Sequence, residues 1–396
     1  MGTLLGVRAG LEGFSATVIG LVMSAFSLGY IVGAYYCPRL IRDIGHIRSF
    51  AVLAAVASAA MILHGLLVHP VIWWILRIIT GICIVGLYMV VESWLNSLIH
   101  SHANRGRIFS LYMMVTLGAL GLGQFLLMLY GPMEMASFAI AALLFSLALV
   151  PIAVTRLPQP AEITVPELQL KKMFSISPLG SMGSFVMGIA SGSFWGLGAL
   201  YAHNLGFDEA GIALFVSLVV FGGMILQLPI GHWSDHRDRR KMLMLVSLLG
   251  AITALAIYLL APHSHVALLV AATLFGGFTF SLYSLSVAHT NDHIGHEDVM
   301  EATRSMLLLN GVGAALGAIV GGLVMQWAGN EALMLYLAAS LASLTLFALY
   351  RMRVGRPMDV DQQEAFVVVT RTGPDAVQMD PRASDEEELT DPGINR

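Results

Sequence analysis

The chain has 396 residues, of which 57% are hydrophobic and only 12% are charged, and its net charge is −4. A water-soluble domain carries about twice this charged fraction, so lipid must surround most of the chain and a soluble globular domain is excluded. Two cysteines, Cys37 and Cys83, stand in or beside apolar stretches and provide neither a disulfide framework nor metal-ligand spacing.

Eleven segments are long and apolar enough to cross a membrane. A bilayer core of roughly 30 Å requires about 20 apolar residues in a helix that rises 1.5 Å per residue. Because the bilayer interior offers no water to the backbone, each segment is predicted to be an α-helix, which makes the chain an all-α polytopic membrane protein. The segments cover about residues 15–37, 49–68, 71–96, 107–130, 134–155, 176–202, 208–231, 242–262, 265–289, 304–328 and 332–350.

The chain repeats itself after about half its length. At an offset of 193 residues, GFSATVIGLVMS (13–24) aligns without a gap on GFDEAGIALFVS (206–217). At an offset of 195, GLYMVVESWLN (86–96) aligns on SLYSLSVAHTN (281–291). Secondary transporters built from two parallel six-helix halves show such repeats, so we predict two pseudo-symmetric six-helix bundles.

The repeat predicts that the first helix is truncated. Residues 176–193 have no partner, because their equivalents would precede Met1. We therefore expect the stretch MGTLLGVRAG to be the end of a first helix, either loosely packed or beside a gap. We also expect the native gene product to begin about 15–25 residues upstream, which would complete one membrane span.

Four regions follow from these patterns. An N-terminal bundle, the stub plus five helices, covers 1–155, and a polar, proline-containing cytoplasmic linker covers 156–174. A C-terminal bundle of six helices covers 175–350. The remainder, 351–396, is polar and acidic and buries too little apolar surface to fold alone, so it is predicted to be a disordered cytoplasmic tail.

Lysine and arginine residues predict the orientation. They concentrate in alternate loops, which the positive-inside rule assigns to the cytoplasm. The prediction is a multi-pass protein of the cytoplasmic (inner) membrane with a cytoplasmic C-terminus. Arg8, at the expected outer face, is the exception.

The loop GHWSDHRDRRK (231–241) resembles the G-x-x-x-D-R-x-G-R-R/K signature of the major facilitator superfamily. His236 and Asp238 depart from it, and in the equivalent loop of the first half Arg42 stands where the aspartate belongs. Arg77-Ile-Ile-Thr-Gly81 resembles the family's R-x-x-x-G element, and the ESWLN sequence (92–96) is similar to that of bacterial members without an assigned substrate. The resemblance covers about 1–350 and implies the major facilitator fold.

The resemblance also implies a conformational latch at the cytoplasmic helix ends. A carboxylate there can accept hydrogen bonds from the amides that begin a neighbouring helix and can pair with guanidinium groups. Contacts of this kind between the halves would hold one facing state and break in the other. The alternative is that the charges only set the topology. The latch residues are Gly231, Asp235, Arg239, Arg240 and Glu92.

Polar residues inside the segments are the candidates for a substrate or proton pathway. Arg77 has Ala272 as its repeat partner and so calls for its own explanation, whereas Tyr88 and Tyr283 match each other. We predict that Arg77 faces a central cavity beside Gly81 and either pairs with an anionic substrate group or takes part in a proton relay; snorkelling to the interface is the alternative. Other candidates can instead be interhelical hydrogen-bonding groups. The candidates are Arg77, Tyr88, Gln124, Trp195, Gln227, Tyr283 and Asn310.

These observations favour a secondary active transporter of a small solute that works by alternating access, with proton coupling left open. We expect a monomer among membrane lipids, without cofactor, metal or nucleic acid. The alternative is a non-transporting membrane protein, either a sensor or a truncated inactive relative. An enzyme is disfavoured because the sequence contains no metal-ligand spacing, nucleophile elbow or nucleotide-binding glycine loop.

Overall fold

The computed structural model describes residues 1–98, 102–154, 170–295 and 299–354, together with residues 363 and 366. Within these residues the secondary structure is helical, and eleven helices are long and apolar enough to span a membrane. This confirms the predicted all-α polytopic fold. The helices are α1 (Gly2–Leu11), α2 (Ala16–Ile44), α3 (His46–Leu66), α4 (Pro70–Leu98), α5 (His102–Leu122) with a 3-10 turn (Gly123–Met128), α6 (Met135–Val154), α7 (Leu170–Ile176), α8 (Pro178–Asn204), α9 (Glu209–Asp235), α10 (Arg239–Leu260), α11 (His265–Asn291), α12 (Val299–Ala328) and α13 (Ala332–Val354).

Several helices run beyond the apolar segments that predicted them. The apolar pattern of the first full span ends near residue 37, but α2 continues to Ile44, and α9 reaches Asp235. Hydropathy measures only the part of a helix inside the hydrocarbon core, whereas the backbone hydrogen bonds continue into the polar interface. The basic and acidic residues of the two predicted cytoplasmic loops therefore lie largely on helix ends.

The two halves enter their second spans in the same way. Gly13 and Gly206, which the 193-residue offset aligns, both have positive φ values (77° and 86°), a conformation that glycine adopts readily. Two residues later, Ser15 and Asp208 cap α2 and α9. The Asp208 carboxylate accepts a hydrogen bond from the Gly211 amide at 2.8 Å. The repeat is thus visible in turn geometry and capping as well as in sequence.

Glycines also bring equivalent helices together at equivalent places. A Cβ atom at Gly29 would lie 2.0 Å from the carbonyl oxygen of Ile78, so α2 and α4 approach backbone to backbone. In the second half, a Cβ atom at Gly222 would lie 1.9 Å from the carbonyl oxygen of Thr273. Both residues of the second pair are repeat partners of the first, and α9 crosses α11 as α2 crosses α4.

Close contacts between the halves are present at the end of the bundle where α2 begins, which is the predicted outer end. The Ala16 amide donates a hydrogen bond to Gln326 Oε1 on α12 at 3.1 Å. A Cβ atom at Gly20 would lie 2.3 Å from the Ala318 carbonyl oxygen. Helices α2 and α12 therefore pack closely at this end.

The first helix is short but firmly packed, so a loosely packed remnant, one of the two expected alternatives, is wrong, while the truncation itself stays a prediction. Leu5 and Ala9 are completely buried. A Cβ atom at Gly10 would lie 2.6 Å from a methyl group of Leu200 on α8, and Gly6 likewise faces α8. Small residues let α1 approach α8 closely, as is usual for helices in membranes.

The predicted linker and tail lie mostly outside the described residues. Helix α7 occupies the last part of the linker region 156–174, and in the region 351–396 the description reaches residue 354 and then includes Gln363 and Phe366. The division into two bundles, linker and tail stays a prediction.

Candidate functional site

A cavity of about 420 Å³ lies between the two halves of the molecule. Its walls come from α1, α2, α4 and α5 on one side and from α8, α9, α11 and α12 on the other. Most of the lining side chains are apolar or aromatic. Of the lining residues that the structure describes, none is acidic.

The structure brings all seven candidate pathway residues to this cavity. They come from six helical elements, namely α4, the 3-10 turn after α5, α8, α9, α11 and α12. Their roles in binding a solute or a proton stay predictions. The residues are Arg77, Tyr88, Gln124, Trp195, Gln227, Tyr283 and Asn310.

Arg77 is buried at the wall of the cavity, with 7% of its surface exposed. Its guanidinium carbon lies 4.5 Å from the centre of the Phe26 ring, a cation–π contact between α4 and α2. The buried Nε atom has no hydrogen-bond partner among the described residues, and no carboxylate there pairs with the side chain. The cavity therefore has a positive charge that the described protein groups do not neutralise.

Gly81 lets the backbone of α2 approach α4 closely beside Arg77. A Cβ atom at Gly81 would lie 2.3 Å from the carbonyl oxygen of Phe26, so the backbone of α2 fills that space. Its repeat partner Gly276 stands in the same relation to the Val219 carbonyl oxygen of α9, at 1.9 Å. The glycine serves helix packing in both halves, and through Phe26 it positions the ring under the guanidinium group.

Neutral polar side chains of the cavity already bond within the protein. Gln227 Nε2 donates to Ser284 Oγ at 2.7 Å, which links α9 to α11. Asn310 Nδ2 donates to the Ser184 carbonyl oxygen at 3.1 Å, which links α12 to α8. These bonds are of the interhelical kind that was the alternative interpretation of both residues, and both residues also line the cavity.

Gln124 is held in a similar way. It accepts a hydrogen bond from the Thr3 hydroxyl at 2.5 Å and donates to the Leu120 carbonyl oxygen at 2.8 Å. The first bond attaches α1 to the 3-10 turn after α5. Gln124 therefore connects the short first helix to the rest of the N-terminal half.

Aromatic rings line the C-terminal side of the cavity. The rings of Trp195 (α8) and Phe280 (α11) are almost parallel, with 5° between their planes and 6.3 Å between their centres. Phe194 packs edge-on against both. Tyr283 lies one turn beyond Phe280 on the same helix and also faces the cavity.

Two predicted latch residues of the second half, Asp235 and Arg239, form a charge cluster with Asp292. Arg239, with 1% of its surface exposed, donates from Nη2 to Asp235 Oδ1 at 3.1 Å and from Nη1 to Asp292 and the Ala288 carbonyl oxygen. This joins the ends of α9, α10 and α11. The contacts described for Asp235 and Arg239 lie within the C-terminal half and the tail, so a contact to the other half stays a prediction.

Arg240 belongs to a separate pair beside this cluster. Its guanidinium group binds Asp238, which caps α10 by accepting a hydrogen bond from the Arg240 amide at 3.0 Å. Burial alone would raise the pKa of Asp238, but the hydrogen bonds from Arg240 and the positive charges of Arg240 and Lys241 hold it below its ordinary value. Asp238, which replaces a glycine of the family signature, thus takes on a capping role.

A residue of the C-terminal tail contacts the same cluster. The Phe366 amide donates to Asp235 Oδ1 at 2.7 Å. A Cβ atom at Gly231 would lie 2.0 Å from the Phe366 ring, so the ring packs directly on the glycine. Gly231 and Asp235 of the signature therefore form the contact site of Phe366.

Glu92, the latch residue of the first half, is completely buried on α4. The Tyr112 hydroxyl of α5 donates to Glu92 Oε1 at 2.9 Å. The next residue, Ser93, bonds to the His46 ring at 3.0 Å, which ties α4 to the beginning of α3. Glu92 lies on the same helix as Arg77, about four turns away.

Sequence reasoning missed three contacts. Arg8, the exception to the charge rule, binds Glu12 at 2.7 Å and the carbonyl oxygens of Pro132 and Met133. It thereby fastens α1 to the loop before α6. The contact of Phe26 with Arg77 and the contact of Phe366 with Gly231 and Asp235 also had no sequence signal, because each depends on the crossing of distant elements.

In the described part of the chain, no group of three His, Cys, Asp or Glu residues is placed to hold a metal ion.

Comparison with known proteins shows one family. The model of the Major Facilitator Superfamily matches residues 5–182 and 180–374. A protein of Salmonella heidelberg named "Uncharacterized MFS-type transporter YcaD" is 28% identical over 338 residues, which cover 84% of this chain and 86% of that protein. An uncharacterized MFS-type transporter of Enterobacter sp. (strain 638) is 26% identical over 365 residues, 91% of this chain and 93% of that protein.

Solved structures show the same fold. The crystal structure of the nucleoside transporter NupG superposes with a TM-score of 0.69 at 15% identity and covers 88% of this chain and 93% of that chain. A mutant of NupG gives a TM-score of 0.70 at 14% identity.

Proposed function

The chain belongs to the Major Facilitator Superfamily, and on that premise we propose that it is a secondary active transporter that moves a small organic solute by alternating access. The central cavity carries the proposal. Its volume of about 420 Å³ is typical of small-molecule sites, and both halves contribute to its walls. When one bundle rocks against the other, a site at their interface opens to each side in turn.

The contacts between the halves support an inward-facing state. Ala16 and Gln326, and Gly20 and Ala318, bring α2 against α12 at the predicted outer end. Closure of this end leaves the opposite, predicted cytoplasmic end as the route to the cavity. In the outward-facing state these contacts would separate.

Arg77 is the centre of the proposed solute pathway, and Glu92 is the group that fits a coupling proton. Glu92 is completely buried and accepts a hydrogen bond from Tyr112, so a change of its surroundings between the two facing states would change its affinity for a proton. Protonation of Glu92 in one facing state and release in the other would couple a proton to solute movement. The Tyr112 hydroxyl, which donates to Glu92, would reorient when the carboxyl group gains its proton.

Asp235 is the proposed latch residue. Its carboxylate holds Arg239 and the Phe366 amide at the end of α9. We expect Asp235→Asn to insert normally but to slow transport about tenfold, the effect of losing one coupling interaction. Arg42→Ala, at the repeat-equivalent and exposed position, should change transport less; equal and small effects would leave the charges with a topological role only.

The test of the function is solute flux in proteoliposomes. Purified protein is reconstituted, pH and potential gradients are imposed, and accumulation of each member of a panel of labelled organic solutes is measured against protein-free vesicles. Uptake of at least one solute that requires the protein supports a transporter. Loss of that uptake when an ionophore collapses the pH gradient supports proton coupling. Protein that is folded but moves no solute would favour the sensor or inactive relative.

A further inference from the structure

The cavity presents one guanidinium group, and its described lining contains no carboxylate to pair with it. Arg77 has neither a carboxylate partner nor a bond to its Nε atom among the described residues, and the described lining contains no Asp or Glu. Other polar groups of the lining, such as Gln227 and Asn310, are bonded to neighbouring helices. A buried, unpaired charge is costly, and an anion that enters the cavity removes this cost.

The C-terminal wall of the cavity contains a stacked pair of aromatic rings. Trp195 and Phe280 stack within 5° of parallel, and both line the cavity. Aromatic rings bind other rings well in offset or edge-on contact. A volume of about 420 Å³ accommodates one or two rings with their substituents.

We propose that the cavity binds a ring-containing organic monoanion, whose anionic group pairs with Arg77 and whose ring packs on the surface formed by Trp195 and Phe280. This inference rests on the proposed transport function and names its substrate class. A single guanidinium group neutralises a single negative charge. A dianion would carry a second, uncompensated charge into an apolar space, and a cation would be repelled.

The same geometry links substrate binding to the movement of the halves. Arg77 lies on α4 in the N-terminal half, whereas Trp195 and Phe280 lie on α8 and α11 in the C-terminal half. A ligand that contacts both walls binds the two halves in one particular relative orientation better than in others. Such a difference in affinity is what allows a ligand to shift a conformational equilibrium.

The experiment compares four probes by calorimetry on the purified full-length chain, with titration into empty micelles as the blank. Benzoate has the ring and the anion, benzamide the ring without charge, benzylamine the ring with the opposite charge, and propionate the anion without the ring. We expect benzoate to bind at least about tenfold more tightly than benzamide and benzylamine, because a hydrogen-bonded charge pair contributes about tenfold or more. It should bind about two- to tenfold more tightly than propionate, which is the usual contribution of an aromatic contact.

Variants assign the two contributions. Arg77→Gln should abolish the preference for benzoate over benzamide, and Arg77→Lys should keep part of it, since lysine retains the charge without the planar fork. Trp195→Leu should weaken benzoate but not propionate. Arg48→Gln, an exposed arginine far from the cavity, should change neither. Monodispersity by size-exclusion chromatography verifies that each variant is folded.

Two results would overturn the inference. One is equal binding of benzoate and benzamide by the unaltered protein, and the other is a preference for benzoate that survives Arg77→Gln in folded protein. Either result leaves the transport function standing if solute flux is seen in proteoliposomes. Absence of flux for every solute would instead contradict the transport function, which separates the two failures.

Discussion

Gly81 and Phe26 meet where α4 crosses α2 at the wall of the cavity. A Cβ atom at Gly81 would lie 2.3 Å from a backbone carbonyl oxygen, which cannot move aside as a flexible side chain can. We expect Gly81→Ala to lower the free energy of unfolding by about 1–3 kcal/mol, the usual cost of overpacking. It should also shift the Phe26 ring away from Arg77. Thermal unfolding in detergent measures the first effect.

Gly118 provides the matched control for Gly81. It also lies within a membrane helix, but a Cβ atom there would meet nothing within 4 Å. Gly118→Ala should be neutral or slightly stabilising, because alanine favours the helix over glycine by about 0.5–1 kcal/mol. If both variants unfold at the same temperature, the close approach of α2 and α4 is not important for stability.

Arg239 is a buried cation that connects the ends of α9, α10 and α11. Its guanidinium group binds Asp235 and Asp292, and Asp292 has only 1% of its side chain exposed. Arg239→Ala would leave a buried carboxylate without its partner, so we expect a loss of about 3–5 kcal/mol in stability. Arg42, whose pair with Asp43 is roughly half exposed, should cost at most about 1 kcal/mol when changed to alanine. Similar melting temperatures for the two variants would contradict this interpretation.

At the scale of elements, the end of α9 binds a residue of the C-terminal tail. The Phe366 amide is bonded to Asp235, and the Phe366 ring packs on Gly231. Hydrogen exchange of a tail peptide that includes residue 366 should therefore be slow at this amide. Gly231→Ala places a methyl group 2.0 Å from the ring, and Asp235→Asn weakens the acceptor, so both should accelerate exchange.

Gly118→Ala, which changes a helix that does not contact the tail in the described structure, should leave this exchange unchanged. Fast exchange at the Phe366 amide in the unaltered protein would show that Phe366 does not stay bound to Gly231 and Asp235 in solution.

The elements also show how far the sequence could predict the structure. Hydropathy predicted every membrane span, because the bilayer imposes a minimum apolar length on each helix. The repeat predicted that Gly13 and Gly206, like Ser15 and Asp208, occupy equivalent places, and the structure gives both pairs the same turn and cap. Such features depend on short stretches of chain, which a sequence displays directly.

Features that depend on two distant stretches could not be predicted in this way. The 193-residue offset aligns His46 with Arg239. From the sequence alone, the first half therefore lacks the positive charge that Arg239 gives to the second half. The structure shows that both side chains bridge to the long helix of their own half, His46 to Ser93 and Arg239 to the Ala288 carbonyl oxygen. The sequence alignment shows that the two positions are equivalent. It does not show which residues they contact, because those residues lie on another helix.

At the scale of the whole molecule, the proposed cycle requires the predicted outer end to close and open. The described state is closed there, with Ala16 bonded to Gln326 across the halves. In a background without Cys37 and Cys83, we expect Ala16→Cys and Gln326→Cys to be joined by a short thiol-specific cross-linker. The cross-link should abolish transport, because the halves can no longer separate at that end. It should leave solute binding intact, because the cavity stays accessible from the opposite end.

The control is a pair of residues at the same end of the molecule that does not include the contact between Ala16 and Gln326. Val71 and Val266 begin α4 and α11 in different halves, and both side chains are exposed. Val71→Cys with Val266→Cys should not be joined by the short cross-linker and should transport normally after treatment. Reducing a cleavable cross-linker on the first pair should restore transport, which excludes damage by the reagent. If the Ala16–Gln326 cross-link forms fully and flux continues unchanged, the halves do not part at this end and alternating access by rocking is wrong for this protein.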